Sequence, residues 1–168
     1  MKRIETERLI LRPMTVEDAE QVFVWCSDPE VNRFMPYPLY TDVEKVREWI
    51  ASIKESSNEF GFELKKTGIL IGSGSISPSR EEGVYEFGYN LRRDYWGKGY
   101  ATEAAKAMIA WAHDTLGIKE FSATHALANT ASGNVIRKCG LTLYKYTTYE
   151  KFDGSRTFEA ADYRMRIE

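Results

Sequence analysis

The sequence predicts an α/β (α+β) fold: one mixed, mostly antiparallel sheet of about seven strands with helices on both faces. Three observations predict it. The elements run β, two helices, three antiparallel strands, helix, strand, helix, two strands. Short turns at Thr67-Gly68, Glu82-Gly83 and Asp153-Gly154 join neighbouring strands as hairpins. The long helix carries a continuous face of small residues, which lets a helix lie close on a sheet. A doubly wound parallel sheet would instead alternate strands and helices throughout.

Ile4 to Arg12 alternates, with Leu9 and Leu11 against Arg8, Ile10 and Arg12, and reads as a first strand ended by Pro13. Thr15 caps a helix to about Cys26, with Asp18 at its third position, close to a capping box. Asp28-Pro29 stops that helix, because the residue before a proline is pushed out of helical geometry. The segment Phe34-Met35-Pro36-Tyr37-Pro38-Leu39-Tyr40 is too proline-rich for a helix interior and too apolar for a solvated loop. It is either a packed Ω-like connection or the wall of a substrate pocket, in which case Phe34 and Tyr37 face the substrate. Thr41 caps the next helix, Asp42 to about Ser52.

Phe60, Phe62 and Leu64 alternate in one strand, which turns into a second over Ile69 to Ile76. A third covers Val84 to Leu91. The helix Ala101 to Leu116 follows, with Gly117 just past its end and Ala101, Ala104, Ala105, Met108, Ile109 and Ala112 on one face. Phe121 to Ala126 is a strand, and Asn129 caps a short helix ending at Gly140. Leu141 to Tyr149 and Thr157 to Ile167 form the last hairpin.

At 168 residues the chain suits a single domain, 1–168, long enough to bury about 70% of the surface of its unfolded form. A formal charge of −2 argues against a general nucleic-acid footprint, which requires a basic surplus. Cys26 and Cys139 cannot form a disulfide framework and read as small buried hydrophobes. With only His113 and His125 as imidazoles, no metal site is expected. The expectation is a cytoplasmic protein, monomer or homodimer, without a signal peptide and without a membrane or nucleic-acid partner.

The run Trp96-Gly97-Lys98-Gly99-Tyr100-Ala101-Thr102-Glu103 joins a strand to the long helix. Two glycines spaced by one residue let backbone N–H groups turn toward an anion, and the helix start adds its unbonded N–H groups and positive end. Lys98 supplies a charge and Thr102 a hydroxyl. The same pattern also serves as a tight strand-to-helix turn. A Walker motif needs Lys-Ser or Lys-Thr after its second glycine, and a Rossmann fingerprint needs a third glycine or alanine at residue 102; neither is present.

The segment Y-E-F-G-Y-N-L-R-R-D-Y-W-G-K-G-Y-A-T-E-A resembles the acetyl-CoA-binding core of the GNAT acetyltransferase superfamily, and most of all its RimJ/RimL-type ribosomal-protein branch. The resemblance extends to E-T-E-R-L-I-L-R-P-M near the start and N-T-A-S-G-N-V-I-R-K-C-G-L near the end. It implies a sheet splayed in the middle, acetyl-CoA as donor and an amine as acceptor. The amides of Gly97 to Thr102, including Lys98, Gly99, Tyr100 and Ala101, would hold the pyrophosphate, although Trp96 stands where the superfamily often has Gln or Arg. Tyr89 and Leu91 lie on the strand that meets the pantetheine arm, where a bulge is implied and Gly88 gives room. Glu86 matches the carboxylate facing the amine, the Tyr89 amide the oxyanion donor, Asn129 the residue bonding the arm, and Ser132 the proton donor to the thiolate. Arg137 stands where the family commonly has a glutamate.

Residue chemistry alone is more reserved. Glu86 alternates with Gly88 and Asn90 on one strand face, which also suits a solvated surface. Asn129 to Gly140 is explained as a capped amphipathic helix, in which Gly133 hints at crowding by a ligand. His125 reads as a pocket-lining or packed histidine rather than a base. The reading is therefore an N-acetyltransferase with Glu86 and Ser132 as catalytic residues. A non-catalytic acyl-CoA-binding sensor is the alternative.

Overall fold

The computed structural model describes residues 2–168. Eight strands form one sheet in the order β1-β2-β3-β4-β5-β6-β8-β7, antiparallel except where β5 meets β6. The first predicted strand is two: β1, Ile4–Glu5, and β2, Leu9–Arg12, fold back on each other through Thr6, Glu7 and Arg8. The phase of the alternation breaks at the reversal: Ile4 pairs with Leu11 and packs on the same side, so the inward residue is even-numbered in β1 and odd-numbered in β2. Pro13 does end β2.

The Thr15 cap opens a short 3-10 turn, Val16–Asp18, that runs into α1, Ala19–Cys26. The Asp18 carboxylate accepts from the Thr15 N–H at 2.8 Å. Asp28-Pro29 stops α1 and also starts a new turn of helix, α2, Pro29–Asn32, with the Asp28 side chain accepting from Glu30 N–H. The next helix, α3, Val43–Ser52, is capped by Asp42, one residue beyond Thr41. β3, Glu59–Leu64, and β4, Leu70–Pro78, form the expected hairpin, with a register shift at Phe62/Glu63. β5 covers Val84–Leu91.

α4, Tyr100–Leu116, ends at Gly117, whose φ of 70° is the left-handed conformation of a helix stop. β6, Glu120–Ala126, α5, Thr130–Lys138, β7, Thr142–Glu150, and β8, Thr157–Arg166, complete the chain. The small-residue face of α4 is the one it buries: Ala104, Ala105, Met108, Ile109 and Ala112 pack on Phe60, Phe62, Phe87 and Phe121. α1 and α3 cover the opposite face, where Trp25, Val46 and Ile50 close over Leu70, while the next residue, Ile71, packs on the α4 side. Cys26 is buried and Cys139 half-buried, and burial raises their thiols to about 12 and about 11, as suits packing residues. Among the described residues no helix is long and apolar enough to cross a membrane.

One ion cluster joins the N-terminal elements to the sheet. Arg12 donates to both carboxylate oxygens of Asp18, at 2.9 and 3.0 Å, and through Nε to Glu63 at 2.6 Å. Burial pushes the Asp18 pKa up, but the bonds from Arg12 and Thr15 outweigh it and hold the group below its ordinary value. Such a group contributes stability above its unfolded pKa of about 3.9, and that stability is lost as pH falls through the folded value. Asp18→Ala should cost about 1.5–3 kcal/mol at pH 7, the worth of hydrogen bonds to a charged group. Melting curves between pH 6 and 3 should show the difference between wild type and variant narrowing as the pH drops.

Candidate active site

The centre of the sheet opens after three rows. β5 and β6 pair in parallel at Val84↔Glu120, Tyr85↔Phe121 and Glu86↔Ser122, and no further. Beyond Glu86, β5 continues to Leu91 bonded only to β4, while β6 continues to Ala126 bonded only to β8. This is the expected splay, and Glu86 sits at its vertex. The expected bulge in β5 is absent: β5 pairs with β4 from Tyr85 to Leu91 without a register shift. Loss of one neighbour frees backbone groups without requiring an extra residue.

Two clefts meet at the opening. One, of about 420 Å³, runs from Leu91, Trp96, Gly97 and the start of α4 to Ala131, Val135 and Lys138 on α5. The other, of about 1230 Å³, is a wide trough containing Glu86, Gly88, Thr124, Asp162, Arg164 and Tyr149. Phe34, Met35, Tyr89, Asn129 and Ser132 line both. A side chain at Gly88 would project into open space, so the missing Cβ leaves room for a ligand in the splay.

The loop between β5 and α4 is braced from both ends. Trp96 Nε1 donates to the Leu91 carbonyl at 2.7 Å. Gly97 and Gly99 have φ of 72° and 83°, which any other residue adopts only with strain. They turn the chain into α4, whose first amides have no partner within the helix. Gly97, Gly99, Tyr100, Ala101 and Thr102 line the smaller cleft. Lys98 lines neither; its ammonium lies 5.5 Å from the Tyr95 ring centre and its carbonyl accepts from Arg8 Nη1. The residues at this end suit an elongated ligand with an anionic part: amides and a helix start at one end, a glycine gap at the other.

At the junction, Asn129 accepts from Ser132 N–H at 3.3 Å, which caps α5 and leaves the Asn129 side-chain nitrogen without a partner among the described residues. Burial raises the Tyr89 phenol to about 12, and the nearby Ser132 side chain opposes the rise. The phenol is therefore protonated at neutral pH, and both side chains line the junction of the two clefts. Glu86 is open to the trough, yet its walls displace enough water to push the carboxyl pKa up; Asp162 adds to the rise, and Arg164 and Arg80 oppose it through space.

His125 is buried beside the trough, with Nδ1 2.7 Å from the Ala126 carbonyl. A carbonyl can only accept, so Nδ1 donates, and the buried Nε2 has no hydrogen-bond partner among the described residues. Gly133 faces this ring: a Cβ there would lie 2.8 Å from His125 Cε1 and 2.9 Å from Nε2. The glycine in α5 thus makes room for an imidazole, not for a ligand as its position had suggested. Arg137 donates to the Tyr163 hydroxyl at 3.0 Å.

Phe34 reaches the clefts as a wall residue, but Tyr37 lines neither. The Tyr37 hydroxyl accepts from Asn90 Nδ2 and its carbonyl from Asn32 Nδ2, so it anchors the wall to β5. The sequence reading missed Asp162, a carboxylate only 7% exposed at the trough. A charge inside the small apolar run Ala160-Ala161-Asp162-Tyr163 was the available signal.

Residues 8–142 match the model of the acetyltransferase (GNAT) domain. The chain is similar to the uncharacterized N-acetyltransferase p20 of Bacillus licheniformis, 33% identical over 171 residues that span 98% of this chain and 92% of p20. A GNAT-family acetyltransferase from Bacillus anthracis superposes with a TM-score of 0.88 at 25% identity, covering 98% of each chain. A putative ribosomal-protein-serine acetyltransferase from Vibrio cholerae superposes at 0.83 with 19% identity, covering 99% of this chain and 98% of that one, a likeness of fold alone.

The packing of Gly133 gives a prediction of sign. Alanine inside a helix normally gains about 1 kcal/mol over glycine, but overpacking a confined ring costs about 1–3. Gly133→Ala should therefore lower the melting temperature in the wild-type background and raise it when His125 is also replaced by alanine. Stabilisation in both backgrounds would mean that the ring does not constrain residue 133.

Proposed function

Because the chain belongs to the acetyltransferase (GNAT) domain family, we propose that it is an N-acetyltransferase that moves an acetyl group from acetyl-CoA to a primary amine in a ternary complex. The observation that carries this reading is the meeting of two clefts at the splay, with a carboxylate at its vertex and two hydroxyls across it. Acetyl-CoA, when bound, supplies an acetyl group activated as a thioester.

Each residue then has a task. Amides 97–102 at the start of α4 hold the pyrophosphate, since they are unpaired donors at a positive helix end. The free Asn129 amide holds the pantetheine arm, and Gly88 leaves the arm its path. The Tyr89 N–H, on the unpaired stretch of β5, donates to the thioester oxygen as charge develops there. Glu86 takes the proton from the attacking amine, directly or through water. Ser132, which lines the junction together with Tyr89, delivers a proton to the departing sulfur.

The acceptor class follows from basicity. An α-amino group with a pKa near 8 is about one-tenth neutral at pH 7, whereas a lysine amine is neutral a few times in ten thousand. A carboxylate raised only by its surroundings serves the first far better. Together with the motif resemblance, this favours a protein N-terminal α-amine or a small-molecule amine of similar basicity, in the manner of the RimJ/RimL-type branch.

Glu86→Gln should lower turnover at pH 7 and leave acetyl-CoA affinity within a few-fold, with the deficit shrinking toward pH 9 as free amine becomes abundant. In the wild type, activity should fall on the acid side as Glu86 is protonated, at a pH above the ordinary glutamate value. Thiol release measured with a panel of amines across this range tests the assignment, and an equal loss at every pH would leave Glu86 only a positioning role. Ser132→Ala should slow turnover by about tenfold to a hundredfold, since the neighbouring phenol and the α5 start retain part of the stabilisation. Full activity in that variant would transfer the donor role to Tyr89.

A further inference from the structure

We infer that Arg8, in the turn between β1 and β2, is a positioning residue for the phosphate loop, holding its backbone in place and keeping the Glu103 carboxylate from competing with the bound diphosphate. The inference rests on the proposed role of residues 97–102.

The geometry is dense. Arg8 Nε donates to Glu103 Oε1 at 2.8 Å and its backbone N–H to Oε2 at 2.9 Å, and the Thr6 hydroxyl donates to Oε2 at 2.6 Å. Arg8 Nη1 donates to the Lys98 carbonyl at 2.9 Å. Nη2 lies 3.3 Å from where a Gly99 Cβ would stand, and the guanidinium lies 4.1 Å from the Tyr100 ring centre. One planar side chain, 95 positions away from Glu103 in sequence, thus touches residues 98, 100 and 103 together and fills the space beside Gly99 where a Cβ would stand.

The charges explain why such a contact is needed. Glu103 sits in the first turn of α4. A carboxylate there is favourable for the helix, because it faces the positive end, but a diphosphate uses that same end. Burial raises the Glu103 pKa, yet the bonds from Thr6 and Arg8 outweigh it and keep the group below its ordinary value, so it is an anion at neutral pH. Arg8 neutralises that anion and turns it toward β2. Without the Arg8 guanidinium, Glu103 would keep its bonds from the Thr6 hydroxyl and the residue-8 N–H but lose its countercharge, leaving an uncompensated anion beside the amides that receive another.

A merely structural staple would affect every ligand alike. The test is isothermal titration of the full chain with acetyl-CoA, and competition with S-acetyl-pantetheine, which lacks the diphosphate. Arg8→Ala should weaken acetyl-CoA at least tenfold and leave S-acetyl-pantetheine within twofold. Adding Glu103→Gln to Arg8→Ala should recover about threefold of the loss. Arg8→Lys, which keeps the charge and the stem but not the fork, should fall between wild type and Arg8→Ala, and it serves if the alanine variant does not fold. Acetyl-CoA affinity within twofold of wild type in a folded variant, or equal weakening of both ligands, overturns the role of Arg8. Equal affinity of the wild type for both ligands overturns the phosphate-loop reading itself, and this role with it.

Discussion

Everything at this site depends on where β5 and β6 stop pairing. Two parallel strands share their facing N–H and C=O groups, and neither can offer them to a third party while the pairing lasts. Here the pairing ends at Glu86↔Ser122, so five residues of β5 and four of β6 run on with one neighbour each. The free backbone and the vertex carboxylate are products of the same event. A fully zipped sheet would have buried both.

Such an opening survives only if its outer sides are fixed. β4 holds β5 through seven registered pairs, and β8 holds β6 through another seven. α4 packs under the vertex through Ala105, Ile109 and Ala112, on Phe121 of the closed part and Phe87 just beyond it. The wall that spans both clefts is fixed just as firmly. Lys151 donates to the Asn32 and Met35 carbonyls and to the Asn32 side chain, Tyr149 donates its hydroxyl to the Phe34 carbonyl, and Phe152 N–H donates to the Pro36 carbonyl. Burial lowers the Lys151 pKa, and its bonds go to neutral oxygens instead of a carboxylate. The segment is thus the packed connection that was one of the two expectations, and its Phe34 and Met35 line both clefts.

Charge is apportioned so that Glu86 stays available. Arg164 spends its guanidinium on Asp162 and Glu81, and Arg12 spends its own on Asp18 and Glu63. Glu86 feels Arg164 and Arg80 only at a distance, with Asp162 pushing the other way. A hydrogen-bonded guanidinium on Glu86 would have lowered its basicity and left it a structural anion. Partition of the cations among the other carboxylates keeps the vertex group basic.

Local chemistry was enough to read much of this chain. Gly97, Gly99 and Gly117 mark turns that require positive φ, β5 was bounded to the residue, and the small face of α4 named the residues it buries. These features depend on neighbours within a few positions, which is the range over which sequence patterns speak. What the tertiary structure decided involves partners far apart. The fold-back at Thr6 to Arg8 is fixed by Glu103, the glycine at 133 by His125, and the place of Tyr37 by Asn90. Asp162 reaches the trough only because β8 lies beside β6. No period of 2 or 3.6 encodes such pairings, since they are set by which surfaces meet when the sheet closes on its helices.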